Sequence, residues 1–221
     1  MCLAKVENKM IAMDSPMGLA SKLTSFFNKK NGFFIEAGAN NGVWQSNTLF
    51  LETELNWHGL LIEPNLVKYE ECKKNRKNKK NIFYNCALVS RDYKENQVAG
   101  FFNEQDYENS LMAQVCEEDP TYTPEDSRWA NKVKVKVPAK KLSDILDENN
   151  ISDIDFFSLD VEGYELNVLN GLDFSRHRPK IICVEAWGHK AFFKVKQKLE
   201  ASGYALKSIV TDGDFLFEKM L

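Results

Sequence analysis

Glu36, Gly38 and Gly42 follow the apolar run Phe33–Phe34–Ile35 in the order acid-x-Gly-x-x-x-Gly. The run reads as a buried strand that stops at a tight, glycine-bearing turn. A second apolar run, Leu60–Leu61–Ile62, ends in Glu63, about twenty residues after Gly42, the spacing of a nucleotide-binding βαβ unit. Two parallel strands tipped in this way describe a nucleotide-like cofactor lying across their carboxyl ends. A dinucleotide fold wants G-x-G-x-x-G with a helix N-terminus aimed at pyrophosphate. Here one glycine of that set is missing and an acid precedes the first. An acid is a poor neighbour for pyrophosphate and a good one for an ammonium group. No G-K-[ST] follows, so a P-loop is excluded.

Further along, Asp160 ends the buried run 154–160 and Glu185 ends the run 180–185. His189 follows Trp187–Gly188 just beyond. With an ordinary pKa near 6.5, it is a candidate general base. Each has a plainer role beside the chemical one. Asp160 suits a helix N-cap. Glu162 and Glu165 complement the positive end of a helix. Asp160, Glu162 and Glu185 are hard oxygen donors that could also ligate Mg²⁺; spacing alone cannot show a metal site, and a divalent ion is possible but not favoured.

The elements that must position these groups alternate between helix and strand. Met17, Leu19, Ala20, Leu23, Phe26 and Phe27 recur at helical spacing over 17–29, and Asn31–Gly32 stops that segment. Strands are expected at 33–37 and 59–63, with helices at 45–55 and 66–77. A third strand is expected over 81–89. Periodicity fails from 90 to 131, which reads as a lid or substrate-facing insertion with a strand near 98–102. Its aromatics are Phe101, Phe102, Tyr107, Tyr122 and Trp129. Lysines and valines alternate over 132–137, as in a half-exposed strand. A short helix at 142–146, a strand at 154–160, a helix at 162–170 stopped by Gly171, and a strand at 180–185 follow. Phe192, Val195 and Leu199 place one face of the next helix on the core. The runs 204–210 and 214–218, joined through Asp212–Gly213, read as a hairpin. The whole implies an α/β fold: a Rossmann-like, doubly wound, mostly parallel seven-stranded sheet with a C-terminal antiparallel hairpin strand. The 221 residues suit one domain, with 1–31 as an N-terminal helical segment.

The chain resembles the class I S-adenosylmethionine-dependent methyltransferases, and more narrowly the FkbM-type methyltransferases. The carrying residues are the stretch from Glu36 to Gly42 (with Ala37, Ala39, Asn40 and Asn41), Ile62–Glu63–Pro64, Asn85–Cys86–Ala87–Leu88, and Asp160–Val161–Glu162–Gly163–Tyr164–Glu165. Val168–Leu169–Asn170–Gly171, Ser46–Asn47–Thr48, Asn109–Ser110 and Glu185 add to them. The resemblance covers roughly residues 32–218. It implies S-adenosylmethionine as cofactor. Glu36 would hold the methionine ammonium, directly or through water. Gly38 and Gly42 would let the backbone approach the cofactor. Ala39, Asn40, Asn41 and Ser46 would line the turn. Glu63, followed by Pro64, would accept both ribose hydroxyls, since two hydroxyl donors can meet two carboxylate oxygens. Cys86 and Ala87 would flank the adenine. The methyl would point toward Asp160 and Glu185, with His189 and Glu162 close by as base or acceptor-orienting groups. The reading is transfer of a methyl group to a hydroxyl of a small molecule or sugar. A methyltransferase-fold binding or trafficking module without catalysis is the alternative, and a dinucleotide-dependent oxidoreductase a distant third.

Composition bounds the rest. A net charge of −3 does not advertise nucleic-acid or membrane binding. No apolar run approaches the roughly 20 residues of a membrane span. The lysine-rich run 73–80 sits at an expected helix C-terminus, where cations are favoured anyway. Five cysteines (Cys2, Cys72, Cys86, Cys116, Cys183) without C-x-x-C spacing read as reduced thiols in a cytoplasmic compartment. The first residues lack the apolar core of a signal peptide, and Cys2 stands where N-myristoylation needs glycine.

Overall fold

The structure is a computed structural model that describes residues 18–103, 114–116 and 132–220. Met17, Tyr107, Asn109, Ser110, Tyr122, Trp129 and Cys2 lie outside the described residues, as do the parts of the insertion at 104–113 and 117–131. The elements are α1 (Leu19–Leu23), β1 (Phe33–Ala37), α2 (Leu49–Leu55), β2 (His58–Ile62), α3 (Leu66–Asn75), β3 (Ile82–Tyr84), β4 (Ala87–Leu88), β5 (Gln97–Asn103), β6 (Gln114–Cys116) and β7 (Lys132–Lys140). Then come α4 (Leu142–Glu148), β8 (Phe156–Leu159), α5 (Glu165–Asn170), β9 (Ile181–Glu185), α6 (His189–Ala201), β10 (Tyr204–Ile209) and β11 (Asp214–Lys219).

Seven strands form one sheet in the order β10-β11-β9-β8-β1-β2-β3. β1 pairs in parallel with both β2 and β8, and β8 pairs in parallel with β9. β11 is antiparallel to β9 and to β10. The strand order reverses at β1, so a crevice opens at the carboxyl ends of β1 and β8, where ligands bind in such sheets. Successive residues point to opposite faces. Ile35, Leu60, Phe157 and Val184 meet Leu142, Leu169 and Leu199 of α4, α5 and α6. Phe34, Leu61, Phe156 and Cys183 meet Leu23, Leu51 and Cys72 of α1, α2 and α3. Burial on both faces explains why these strands read as continuous apolar runs.

Three expectations shift. The helix expected over 17–29 is only α1 followed by a 3₁₀ turn at Thr24–Phe26. The Thr24 and Ser25 hydroxyls bond back to the carbonyls of Ser21 and Lys22, and such bonds compete with helix continuation. Phe27 turns extended and sets its ring edge-on to Phe156 at 4.8 Å and Trp57 at 5.6 Å. The strand expected over 81–89 splits in two. β3 pairs with β2, but the Asn85 amide then donates to the carbonyls of Glu63 and Pro64. β4 leaves for a second, four-stranded sheet in the order β4-β7-β5-β6. The alternating strand at 132–137 is β7 and belongs to that second sheet, antiparallel to β5. β5 is the strand expected near 98–102. β5, β7 and β4 bury Val98, Phe102, Val137 and Ala87 as a separate small core.

Among the described residues, Cys72, Cys86 and Cys183 are free and buried. No described helix is long and apolar enough to cross a membrane.

Candidate active site

At the end of β1 the Gly38 and Ala39 amides both donate to the Ile62 carbonyl at 3.0 Å. The turn is thereby tied to the end of β2. Gly38 adopts φ +83°, and a Cβ there would stand 1.8 Å from the Asp160 carbonyl oxygen. Only glycine accepts both that dihedral and that approach. The turn continues through Asn40, at φ 47°, whose amide donates to Glu63 Oε2 at 2.8 Å. The Asn65 amide donates to Glu63 Oε1, also at 2.8 Å. Each carboxylate oxygen thus holds one backbone N–H and keeps acceptor capacity. Burial is the largest influence on Glu63 and lifts its pKa from 4.5 to about 7, with the two amides and Lys68 opposing it.

A cleft of about 810 Å³, counting the solvent at its mouth, opens along these strand ends. Gly38, Asn40, Glu63, Pro64, Cys86, Ala87, Asp160 and Glu162 border it. The far wall is the loop after β8. There Glu162 (φ 57°) and Gly163 (φ 95°) both turn left-handed, so α5 starts at Glu165, three residues later than the sequence pattern suggests. The buried Glu165 carboxylate braces that loop by accepting the amides of Val161 and Gly163 at 3.2 and 2.9 Å. Tyr164, and not Asp160, occupies the N-cap position of α5. Cys86 forms part of the wall as a thiol that burial pushes up to about 12, which leaves it an inert apolar surface.

Asp160 and Glu185 meet at the ends of β8 and β9, and Asp214 stands beside Glu185 in register. Burial pushes Asp160 far above its ordinary range, and the negative charges of Glu185, Glu162 and Asp214 push it further. Burial also raises Glu185, while hydrogen bonds with Trp187 and Asp160 hold it back. Two partly buried carboxyls in contact favour sharing one proton.

Several predicted residues take other places. Glu36 does not border the cleft. Its Oε1 accepts the Ser46 hydroxyl at 2.8 Å and the Asn47 amide at 2.9 Å. Its Oε2 accepts the Thr48 hydroxyl at 2.7 Å and Arg76 Nη1 at 3.1 Å. The carboxylate expected to hold an ammonium, directly or through water, is thus engaged with the segment before α2 and with a buried arginine. Ser46 belongs to the same cluster. Gly42 (φ +76°) is turned toward α3, where a Cβ would stand 2.7 Å from Cys72 Sγ and 2.8 Å from Arg76 Cγ. Its glycine serves helix packing and not cofactor approach. Asn41 shapes the turn, accepting the amides of Val43 and Trp44 on its side chain. Ala39 packs into the core on the α2 side. His189, the first residue of α6, is exposed; neither it nor Glu185 is among the residues that border the cleft.

Three residues of the site were not foreseen. Arg76 is buried, pairs with Glu36 and with Glu52 (2.8 Å), and lies over the Phe34 ring. Lys68 is buried on the cleft wall near Glu63, with Nζ 3.2 Å from Glu71. Trp44, half-exposed, borders the cleft after the first turn. A signal existed for two of them. Lys68, Cys72 and Arg76 fall at i, i+4, i+8 on one face of α3, and Cys72 marks that face as buried.

The profile of the FkbM methyltransferase domain matches residues 36–206. The chain belongs to the FkbM-type methyltransferase family. Its Gly38 turn, Glu63 tip and Asp160 loop all lie within the matched span. No curated protein matches the sequence significantly. Among solved structures, the FkbM-type chain is similar to a precorrin-6y C5,15-methyltransferase from Geobacter metallireducens (10% identity over 90% of this chain and 86% of that one, TM-score 0.47). A methyltransferase from Pyrococcus furiosus is similar at 12% identity (92% and 84% covered, TM-score 0.47). So is a TehB-like SAM-dependent methyltransferase from Corynebacterium glutamicum (10%, 99% and 96%, TM-score 0.46).

The donor set suits S-adenosylmethionine. A buried carboxylate with spare acceptor sites faces the cleft, a glycine without Cβ lies next to it, and Cys86 and Ala87 give an apolar wall. Among the described residues, no group of three or more His, Cys, Asp or Glu is arranged to hold a metal ion.

Proposed function

We propose that this FkbM-type domain methylates a hydroxyl oxygen of a small molecule or sugar. The observation that carries the reading is the cleft itself. It has the Glu63 carboxylate at one end and the Asp160 carboxyl, backed by Glu185, at the other, with Gly38 between. S-adenosylmethionine, when bound, supplies a sulfonium-borne methyl electrophile. Glu63 would accept the ribose hydroxyls, and Asn40, Pro64, Cys86 and Ala87 would enclose the nucleoside. The Gly38 backbone would lie against the cofactor. Residues 90–131 would act as the lid over the acceptor; Val115 of β6, which borders the cleft, supports that role.

The acceptor must lose a proton as its oxygen gains a methyl. Asp160, which borders the cleft, with Glu185 behind it, is the group suited to take it, and such bases contribute about 10²–10⁴-fold. Glu162 would orient the acceptor from the same wall. Holding both reactants in line is worth at most about 7–11 kcal/mol. His189, exposed at the start of α6, is given no role in this scheme. One domain over the whole chain, acting in the cytoplasm, completes the proposal.

The test is a methyl-transfer screen over hydroxylated metabolites and sugars, with Asp160→Asn as control. Raised carboxyl pKa values predict a rate that rises with pH as the pair gives up its shared proton. Product formation lost in Asp160→Asn, with cofactor affinity kept, supports the assignment. Undiminished turnover in that variant contradicts it. Cofactor binding with no turnover on any acceptor favours the binding-module reading.

A further inference from the structure

The outward face of α6 carries Phe193, 65% exposed, between Lys190 and Lys194. Those two lysines lie one helical turn apart and are exposed. Neither joins an ion pair among the described residues, whereas Lys196 is tied to Glu200. Trp187 and Ile209 are 56% and 64% exposed. They belong to the same edge of the molecule. Trp187 lies two residues before α6, with its ring over the β10–β11 turn, where a Cβ on Gly213 would come within 2.7 Å of it. Ile209 faces Phe215 across the hairpin, and the Phe215 ring stacks on Phe192 of α6 at 4.1 Å. Directly opposed residues of paired strands share a face, so Ile209 projects on the α6 side.

One exposed apolar side chain is ordinary. Three large ones at a sheet edge, next to two unpaired lysines, mark an interaction surface. These side chains stand more than half exposed. A rigid protein partner would need matching holes, whereas a lipid headgroup layer yields to them. Aromatic rings at headgroup depth with lysines among the headgroups are the pattern of helices that lie on membranes. The overall charge of −3 hides a local excess, since α6 holds four lysines against Glu200. Exposed Asp212 on the adjoining turn opposes them with one negative charge.

We propose that this edge docks the protein on an anionic lipid surface. α6 lies along the headgroups, Phe193 and Ile209 reach beneath them, and Trp187, held by its hydrogen bond to Glu185, lies at headgroup level. On the methyl-transfer reading, docking turns the Glu185 side of the cleft toward the membrane, but the docking itself does not depend on that reading.

The test is co-sedimentation of the full chain with vesicles of phosphatidylcholine alone, and with phosphatidylserine added at roughly one part in four to give an anionic surface. Binding to the anionic vesicles only is expected. It should weaken about 30-fold in Lys190→Ala/Lys194→Ala, since each lysine near such a surface contributes about fivefold. It should also weaken in Phe193→Ser, with unchanged melting in every variant. No sedimentation with anionic vesicles, equal binding to neutral ones, or binding indifferent to these substitutions overturns the proposal. So does capture of polyglutamate without vesicle binding, which would mark an acidic protein as the partner. A parallel titration with S-adenosylmethionine keeps the two readings apart, because its failure would leave the vesicle result standing.

Discussion

Arg76 Nη1 stands 3.1 Å from Glu36 Oε2, with both side chains buried, and joins the end of β1 to the last turn of α3. The same guanidinium reaches Glu52 through Nε and touches the hydroxyls of Ser46 and Thr48. The acid that opens the glycine turn therefore fixes the loop that carries the turn, and any effect of it on cofactor passes through that loop.

Removing one member of a buried pair strands the other charge and costs about 3–5 kcal/mol. Arg76→Ala should accordingly lower the thermal midpoint by roughly 10 °C. The double variant Arg76→Met/Glu36→Leu should lose less than the sum of its single variants, because the two sites are coupled. Additive losses by calorimetry would contradict the pairing.

Gly38 and Gly42 should fail differently. Gly38→Ala drives a methyl into the Asp160 carbonyl at 1.8 Å, so the turn itself must move and cofactor binding should be lost. Gly42→Ala presses on Cys72 and Arg76; overpacking of that kind costs about 1–3 kcal/mol. Melting should suffer there more than affinity. Wild-type affinity in Gly38→Ala would refute the contrast.

Glu63 gives a pH signature. Its folded pKa, about 7, lies above its ordinary 4.5. A carboxyl raised in this way binds its proton more tightly in the folded state. Its stabilising contribution is thus full below about pH 4.5 and is lost as pH rises through about 7. Glu63→Gln should melt above wild type at pH 8, by a margin that shrinks at pH 5. Cofactor affinity should run the other way, rising through pH 7 as the carboxylate becomes ionised. A flat affinity profile from pH 5 to 8 would contradict the ribose assignment.

Much of this was legible in residue order. β1, β2, β8 and β9 are continuous apolar runs because both faces of the sheet are covered, and the acids that end them mark the crevice. The hairpin was legible as well, though for a partly different reason. Gly213 is not in the left-handed region, and its missing Cβ makes room for the Trp187 ring. What the sequence hid was tertiary. Nothing local to Asn85 shows that its side chain will bond to Glu63 and Pro64 and divide a strand. Alternation over 132–137 gives a half-exposed strand without saying to which sheet it belongs. Arg76 was masked by the lysines around it, and its role depends on Glu36, forty positions earlier.

Isothermal titration of the full chain with S-adenosylmethionine and S-adenosylhomocysteine tests the central claim most directly. Loss of a charged hydrogen-bonding group at the ribose should cost about tenfold to a hundredfold in affinity. The account predicts saturable binding of both ligands to wild type and a loss of that size in Glu63→Ala. No heat of binding at millimolar ligand, or equal affinity in Glu63→Ala, would contradict it.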